Sequence, residues 1–421
     1  MDQEPRGYVT KDEAQNANAE MWHKFRKDFQ QKPITYGAIL VLIALALLGL
    51  IFRYDPQWAA PNNNLVSFLT NTATEVLGVI FTIFVVNEFQ KRRDLEQLKK
   101  ELLADVKYGT NGDAIRAINR IRLYDEEYGW YQGKNVLLVG PDLSGSNLSN
   151  ANLDGANLEM ARLNSANLSE SSLVNTNLQG ASLQAVDFRG ATLRANLQEA
   201  KMCGSNLQGA KLDECDLRLT DLRNVNLEGA TLFQANLKGA RLIAANLHKV
   251  DLSLADIQEA DMYGANLHEA VLQGANLLRS HLSEANLRGA ILRGANLKEV
   301  YMSATDLQGS VLYIADLRKA NLIKANLQRA DLERADLQEA NLEGADLRGT
   351  NFSRANLHNT RISDAMFSAE TILPDNNHYD LERGLDQMQC FIDPTYPKFW
   401  DPCKELDPKP WYCDEVNPAV V

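Results

Sequence analysis

The sequence predicts a β solenoid preceded by two membrane-spanning helices, and three observations carry that prediction. From Leu143 to Phe367 a large apolar residue recurs every fifth position. Two places before each stands a small residue, most often Ala, with Asn or Asp between them, as in Ala151-Asn152-Leu153 and Ala335-Asp336-Leu337. Ahead of this tract lie two apolar stretches, 34–53 and 65–87. At 421 residues the chain has the length of two or three ordinary domains, but its aromatic content of 7% is thin for mixed three-dimensional cores. An apolar fraction of 45% excludes a disordered chain, and the net charge of -12 argues against general phosphate-backbone binding.

The N-terminal 1–33 reads as a cytoplasmic segment. The stretch after it, ITYGAILVLIALALLGLIF, has no charge over about 19 residues, enough at about 1.5 Å per residue to cross a hydrocarbon core of about 30 Å. A leader of 33 polar residues with no small-residue cleavage site after the apolar run argues against a signal peptide. In 65–87 only the second half, VLGVIFTIFVV, is strongly apolar, so a crossing there must also carry Asn71, several Thr and Glu75. Lys24, Arg26, Lys27 and Lys32 precede the first stretch, and Lys91, Arg92, Arg93, Lys99 and Lys100 follow the second, with only Arg53 between. That bias predicts an integral membrane protein with both termini and the repeat tract in the cytoplasm. Glu75, midway along the second helix, is a candidate intramembrane contact, to a neighbouring helix or an oligomer partner, unless it is protonated or reaches the lipid interface.

Residues 88–140 read as a juxtamembrane helical linker. Leu95, Leu98, Leu102 and Val106 form a short apolar stripe, expected to dock on a neighbouring helix over about 113–124 rather than to build a coiled coil. The repeat tract, 141–373, follows. About 46 positions carry the apolar residue, 38 of them Leu. A period of five suits neither a continuous helix nor an alternating strand. It suits a coil that turns a corner after each unit, sending the Leu and the small residue inward and leaving three positions outside. Stacked coils pair their backbones at strand spacing, expose edges only at the two ends, and so need caps. Between Leu193 and Leu197 the step is four residues, so the coil near Arg194 loses one outward residue, which predicts a tightened or flattened corner. The tail, 374–421, leaves the repeat, crowds Pro, Trp and Tyr, and is expected to cap the open end.

This tract closely resembles the pentapeptide-repeat family over about 225 residues. The resemblance implies a right-handed quadrilateral β-helix with four pentapeptides per coil, hence about 11.5 coils and, at about 4.8 Å each, a rod about 55 Å long. The stretch from Ile115 to Leu143, with Gly129-Trp130, and the step Thr74-Glu75-Val76 resemble parts of membrane-anchored members, as does the aromatic tail.

A convex repeating rod offers no concave pocket of convergent groups, so no catalytic residue and no cofactor is assigned. Asn and Asp before each Leu read as turn-supporting side chains that bond nearby backbone. His248 and His268 are twenty residues apart and stack if four units make a coil, but two ligands are too few for a structural metal site, and none is assigned. Cys390, Cys403 and Cys413 lack paired zinc spacing and read as cytoplasmic thiols. One outer face departs from the Asn/Asp habit. Folded at twenty residues per coil, Thr231, Asp251, Val271, Ile291 and Val311 align before their Leu, with Phe233, Leu254, Tyr313 and Ile314 just after. The candidate interaction stripe is therefore Phe233, Leu254, Val271, Ile291, Val311, Tyr313 and Ile314. The competing readings are that β-branched residues merely suit stacked strands, or that the tail covers them.

Three functions follow as expectations. The first is a non-catalytic membrane-anchored scaffold that presents the rod to an unknown protein partner, with homo-oligomerisation open. The second is a mimic of duplex DNA that regulates a topoisomerase or another nucleic-acid-binding protein, as implied by soluble relatives. The third is an accessory subunit of a membrane transport complex. The span 142–370 holds 28 acidic and 22 basic residues, a net of about -6. That is weak for a phosphate mimic, and no nucleic acid is expected as a partner.

Overall fold

The computed structural model describes residues 64–131, 137–406 and 408–413. The apolar segment 34–53 lies outside these residues. Two compact units divide at Lys100 and Glu101, inside helix α1, Asn64–Tyr108. This helix runs unbroken across the boundary expected at 87 and 88. Among the described residues no helix is long and apolar enough to cross a membrane, so the crossing expected at 65–87 gains no support. The physical reason lies in its first half, where Asn71, three Thr and Glu75 dilute the apolar run. Its second half nonetheless leaves Val79, Ile80, Phe81, Ile83, Val86 and Phe89 exposed.

In the second unit the apolar stripe of α1 ends in Leu102 and Val106, both fully buried. Helix α2, Asn111–Leu123, opens on a capping box: Asp113 N donates to the Thr110 hydroxyl, and Thr110 N donates to the Asp113 carboxylate. It buries Ala114, Ala117, Ile118 and Ile121, one face at helical spacing. The single turn α3, Asp125–Tyr128, stops at Gly129, whose φ of 65° is the left-handed close that glycine permits. Trp130 and Tyr131 follow, both buried.

The repeat tract is a stack of parallel bridges, each joining a residue to the one twenty positions on, from Asp142 with Arg162 onward. Twenty residues of five-residue units make four sides per coil, as the resemblance implied. Each rung is fully paired. Leu227 N donates to Asn246 O at 2.7 Å, and Asn246 N donates to Val225 O at 2.9 Å. At nearly every corner the small residue's N–H closes back on the preceding Leu carbonyl, as Ala230 does on Leu227 at 3.0 Å, around a residue with φ near 60°. That is the pattern of a type II turn. Many of these left-handed residues are Glu, Lys, Arg or Leu rather than Gly. Their N–H groups are bonded to the next rung, as Leu254 N is to Gln273 O at 2.9 Å, which helps to hold the strained conformation. At Gly274 the requirement is steric as well, because a Cβ would meet the Leu254 side chain at 2.7 Å.

The interior is as narrow as the sequence requires. Nearly all the Leu positions and their small partners are 0–2% exposed. Where the small residue is Ser or Thr, its hydroxyl is mostly satisfied inside, as Thr305 Oγ1 donates to Leu282 O at 2.8 Å and Thr350 Oγ1 to Leu327 O at 2.8 Å; the buried Ser146 hydroxyl is the exception. Across Leu193–Leu197 the bridge spacing falls to nineteen for four successive pairs, Asn177–Asn196 through Thr192–Lys211, then returns to twenty. No residue there has positive φ, so the corner lost its left-handed residue, as expected. In its place Ala195 N donates to the Cys215 sulfur, whose thiol burial pushes up to about 12.

Both ends are capped. At the start, Arg122 Nη2 donates to Asn152 O at 2.7 Å, Asn157 N donates to Tyr131 O, and Lys107 pairs with Asp142 at 2.7 Å. The Lys107 ammonium holds the Asp142 carboxyl well below the usual range. At the far end the period breaks after Phe367, which stacks on Tyr379 at 4.6 Å, and Ile372 pairs antiparallel with His378. Asn359 N donates to Ile392 O at 2.7 Å and Phe399 stacks on His358 at 4.7 Å, so the tail lies over the last coil. Four short turns build it: two of 3-10 form, Gly384–Met388 and Trp411–Cys413, and two α-helical, α4 (Gln389–Ile392) and α5 (Pro402–Glu405). Trp411 and Tyr412 reach back to the rod, donating to Arg334 O at 3.1 Å and Arg354 O at 2.7 Å. One expectation fails here. Cys403 and Cys413 form a disulfide, with Cα atoms 5.5 Å apart, and only Cys390 of the three tail cysteines is free. The pairing depends on a chain reversal in a proline-rich segment, which spacing alone does not reveal.

Candidate interaction face

The four sides of the coil differ chemically. Two carry ladders of amides. Asn226, Asn246, Asn266 and Asn286 each donate a side-chain N–H to the Asn one rung below at 2.9–3.2 Å. Their carbonyl oxygens accept the backbone N–H two residues on, as Asn246 Oδ1 does from His248. The ladder opposite runs Asn276, Asn296, then Asp316, Asp336 and Asn356. The turn-supporting reading of the Asn and Asp positions is therefore correct, with an added coil-to-coil bond that the sequence reading did not foresee.

Asp336 is the costly member of that ladder. It is 2% exposed and lies beside Asp316, with Arg318 Nε 3.7 Å from its carboxylate. It accepts from Gln338 N and, at 2.8 Å, from Asn356 Nδ2. Burial, only partly offset by these bonds, pushes its carboxyl up to about 6.

Between the amide sides lies the side that carries the predicted stripe. Bridges join Thr231, Asp251, Val271, Ile291 and Val311 in one column. Ile291 is exposed and Val271 and Val311 are half-buried. Phe233 and Leu254 are exposed beside them, 40% and 52%. Tyr313 is engaged: the Arg293 guanidinium lies 5.2 Å from its ring centroid, and Arg334 donates to its hydroxyl at 3.3 Å. Ile314, half-buried, closes the set over Gly294. The tail anchors at Arg334 and Arg354, one and two rungs beyond Ile314, and its described residues make no hydrogen bond to the stripe itself. Glu75 is exposed on α1, one turn before Val79.

On the opposite side the structure adds what sequence reasoning missed. His281 bridges Asp261 and Tyr301, its Nδ1 lies 3.2 Å from the Asp261 carboxylate, and Tyr263 and Tyr301 flank its ring. The signal was a set of polar aromatic residues at twenty-residue spacing. Charge on the rod is also arranged. Asp187, Asp216, Asp221, Asp316 and Asp346 each pair with the Arg two residues on at 2.5–2.7 Å. Those guanidinium groups hold the Asp187, Asp216, Asp221 and Asp346 carboxyls below their ordinary values. Acidic columns that a duplex mimic would leave bare are thus locally neutralised.

The family profile described as pentapeptide repeats matches in eight copies, covering residues 134–298 and 301–368. Among solved structures the chain is similar to HetL, a pentapeptide repeat protein involved in heterocyst differentiation regulation in the cyanobacterium Nostoc sp. strain PCC 7120. The identity is 30% over 57% of this chain and 92% of that one, with a TM-score of 0.29. It is 38% identical to a pentapeptide repeat protein from the cyanobacterium Cyanothece 51142, over 23% of this chain and 63% of that one, with a TM-score of 0.20. The plasmid-mediated fluoroquinolone resistance protein QnrB1 matches at 18% identity over 39% of this chain and 91% of that one, with a TM-score of 0.25. No curated protein matches the chain.

Proposed function

Because the chain belongs to the pentapeptide-repeat family, we propose that it is a non-catalytic scaffold, held at a membrane, whose rod presents the side centred on Ile291 to a protein partner. The observation that carries this reading is the column Val271, Ile291 and Val311 with Phe233 and Leu254 exposed beside it, an apolar patch between two amide-covered sides. The side chains just outside the column vary from coil to coil, which suits recognition better than an architectural repeat would. The paired Asp and Arg residues disfavour the duplex-mimic alternative.

Membrane attachment is supported by the uncharged run at 34–52. Placement of the rod on the cytoplasmic face is supported by the Lys and Arg residues before that run and after position 90. That orientation requires the chain to return before Lys91, by a crossing that takes in the whole of 65–87, where Val79, Ile80, Phe81, Ile83 and Val86 of α1 are exposed. Alkaline carbonate extraction tests attachment: the protein is expected in the pellet, and release into the supernatant refutes it. Replacing Val271, Ile291 and Val311 together with Asn tests the face. Far-UV dichroism is expected to stay unchanged while co-purifying protein is lost; an unchanged set of co-purifying proteins refutes the interface.

A further inference from the structure

Outside the apolar face, one corner of the rod collects metal-ligating side chains. His248 and His268 occupy equivalent positions on successive coils, and their rings lie 5.3 Å apart, tilted by 31°. Glu269, beside His268 in sequence, turns the same way. One ligand atom from each of the three lies within 4.8 Å of the others. Four tetrahedral ligands on a zinc ion stand roughly 3.3 Å apart at bond lengths of about 2.0–2.1 Å, so small rotations about the side-chain torsions close the gap. The backbone beneath is fixed: His248 N and His268 N are both held by the amide ladder, and each coil is bonded to the next. A fourth group stands one coil below, Glu228, whose Oε1 is 3.7 Å from His248 Nδ1. It is placed to orient that ring, as carboxylates do for metal-bound imidazoles. On Glu269 one oxygen lies 3.7 Å from His268 Nδ1 and the other 3.4 Å from Lys249 Nζ. The lysine opposes a cation but engages a single carboxylate oxygen.

We propose that His248, His268 and Glu269 form a surface site for a divalent transition-metal cation of the zinc class. The argument against two histidines alone was that two ligands are too few, and the fold supplies the third. Two imidazoles and one carboxylate favour zinc, cobalt or nickel over magnesium or calcium, which prefer oxygen donors. Three protein ligands leave at least one coordination position open to water or to a side chain of another protein.

The test is titration of the purified full-length chain in detergent with Co2+ and Zn2+, read by visible absorption and calorimetry. One equivalent of Co2+ is expected to give the ligand-field bands of a low-coordinate nitrogen-containing site, displaced by Zn2+ and not by Mg2+. His268→Asn is expected to weaken Zn2+ binding at least tenfold, Glu269→Gln to weaken it less, and Lys249→Ala to tighten it. All four residues point outward, so the variants are expected to keep the wild-type dichroism. Failure of the wild-type protein to bind Zn2+ below millimolar concentration overturns the proposal. So does binding that survives the His248→Asn, His268→Asn double substitution, or Lys249→Ala binding no tighter than wild type.

Discussion

Asp336 shows how one side chain sets a pH dependence. Its carboxyl titrates near 6 in the folded rod and near 3.9 in an unfolded chain. The protonated form therefore contributes stability that is fully present below about pH 4 and is lost as pH rises through about 6. Asp336→Asn keeps the acceptor for Gln338 N and Asn356 and adds a donor toward Asp316, restoring an amide ladder like that on the opposite side. The substitution is expected to leave stability unchanged at pH 4 and to raise it at pH 7, by up to about 3 kcal/mol if the full shift is recovered. Hydrogen exchange of the amides around 316–356 at several pH values measures this; equal protection at pH 7 contradicts it. A core residue behaves differently. Leu287→Ala empties a fully buried position and is expected to cost about 2–5 kcal/mol at all pH values, with lost protection centred on its own and the adjoining coils because coupling is between neighbours.

Among the elements, the rod was legible in the sequence and the tail was not, for a physical reason. Each coil is specified locally, since Leu143 and its successors, the small residues and the Asn or Asp positions all act within five residues or across one coil. The shortened corner at Leu193–Leu197 was equally visible, because losing one residue shifts the bridge spacing by one. The disulfide between Cys403 and Cys413, and the reach of Trp411 to Arg334 O, join residues that no repeat rule relates. The same holds for Glu269 beside His248: its place follows from where a left-handed corner aims its side chain. The second membrane crossing rests on extending an apolar half-helix through Asn71 and Glu75, and the described residues give it no support. Reducing the disulfide frees the strap that carries Trp411 and Tyr412, removing a stabilisation of about 2–3 kcal/mol for a short loop. Cleavage after Lys404 by trypsin is expected to accelerate several-fold under dithiothreitol while the rod stays resistant; unchanged cleavage means the strap is held by its contacts alone.

Over the whole molecule the net charge of -12 is less informative than its placement. Asp–Arg pairs two residues apart neutralise five of the rod's carboxylates, two sides carry amide ladders, and the apolar column is left as the distinctive surface. A scaffold needs such a rigid, chemically uneven surface, and the account stands or falls on that column meeting a partner. The direct measurement is photo-crosslinking in intact membranes from a photoreactive amino acid placed at position 291, with the same residue at position 286 on the neighbouring amide side as control. A discrete protein adduct from 291 and none from 286 is the predicted result. Equal labelling from both positions, or no adduct from 291, contradicts the assignment of this face.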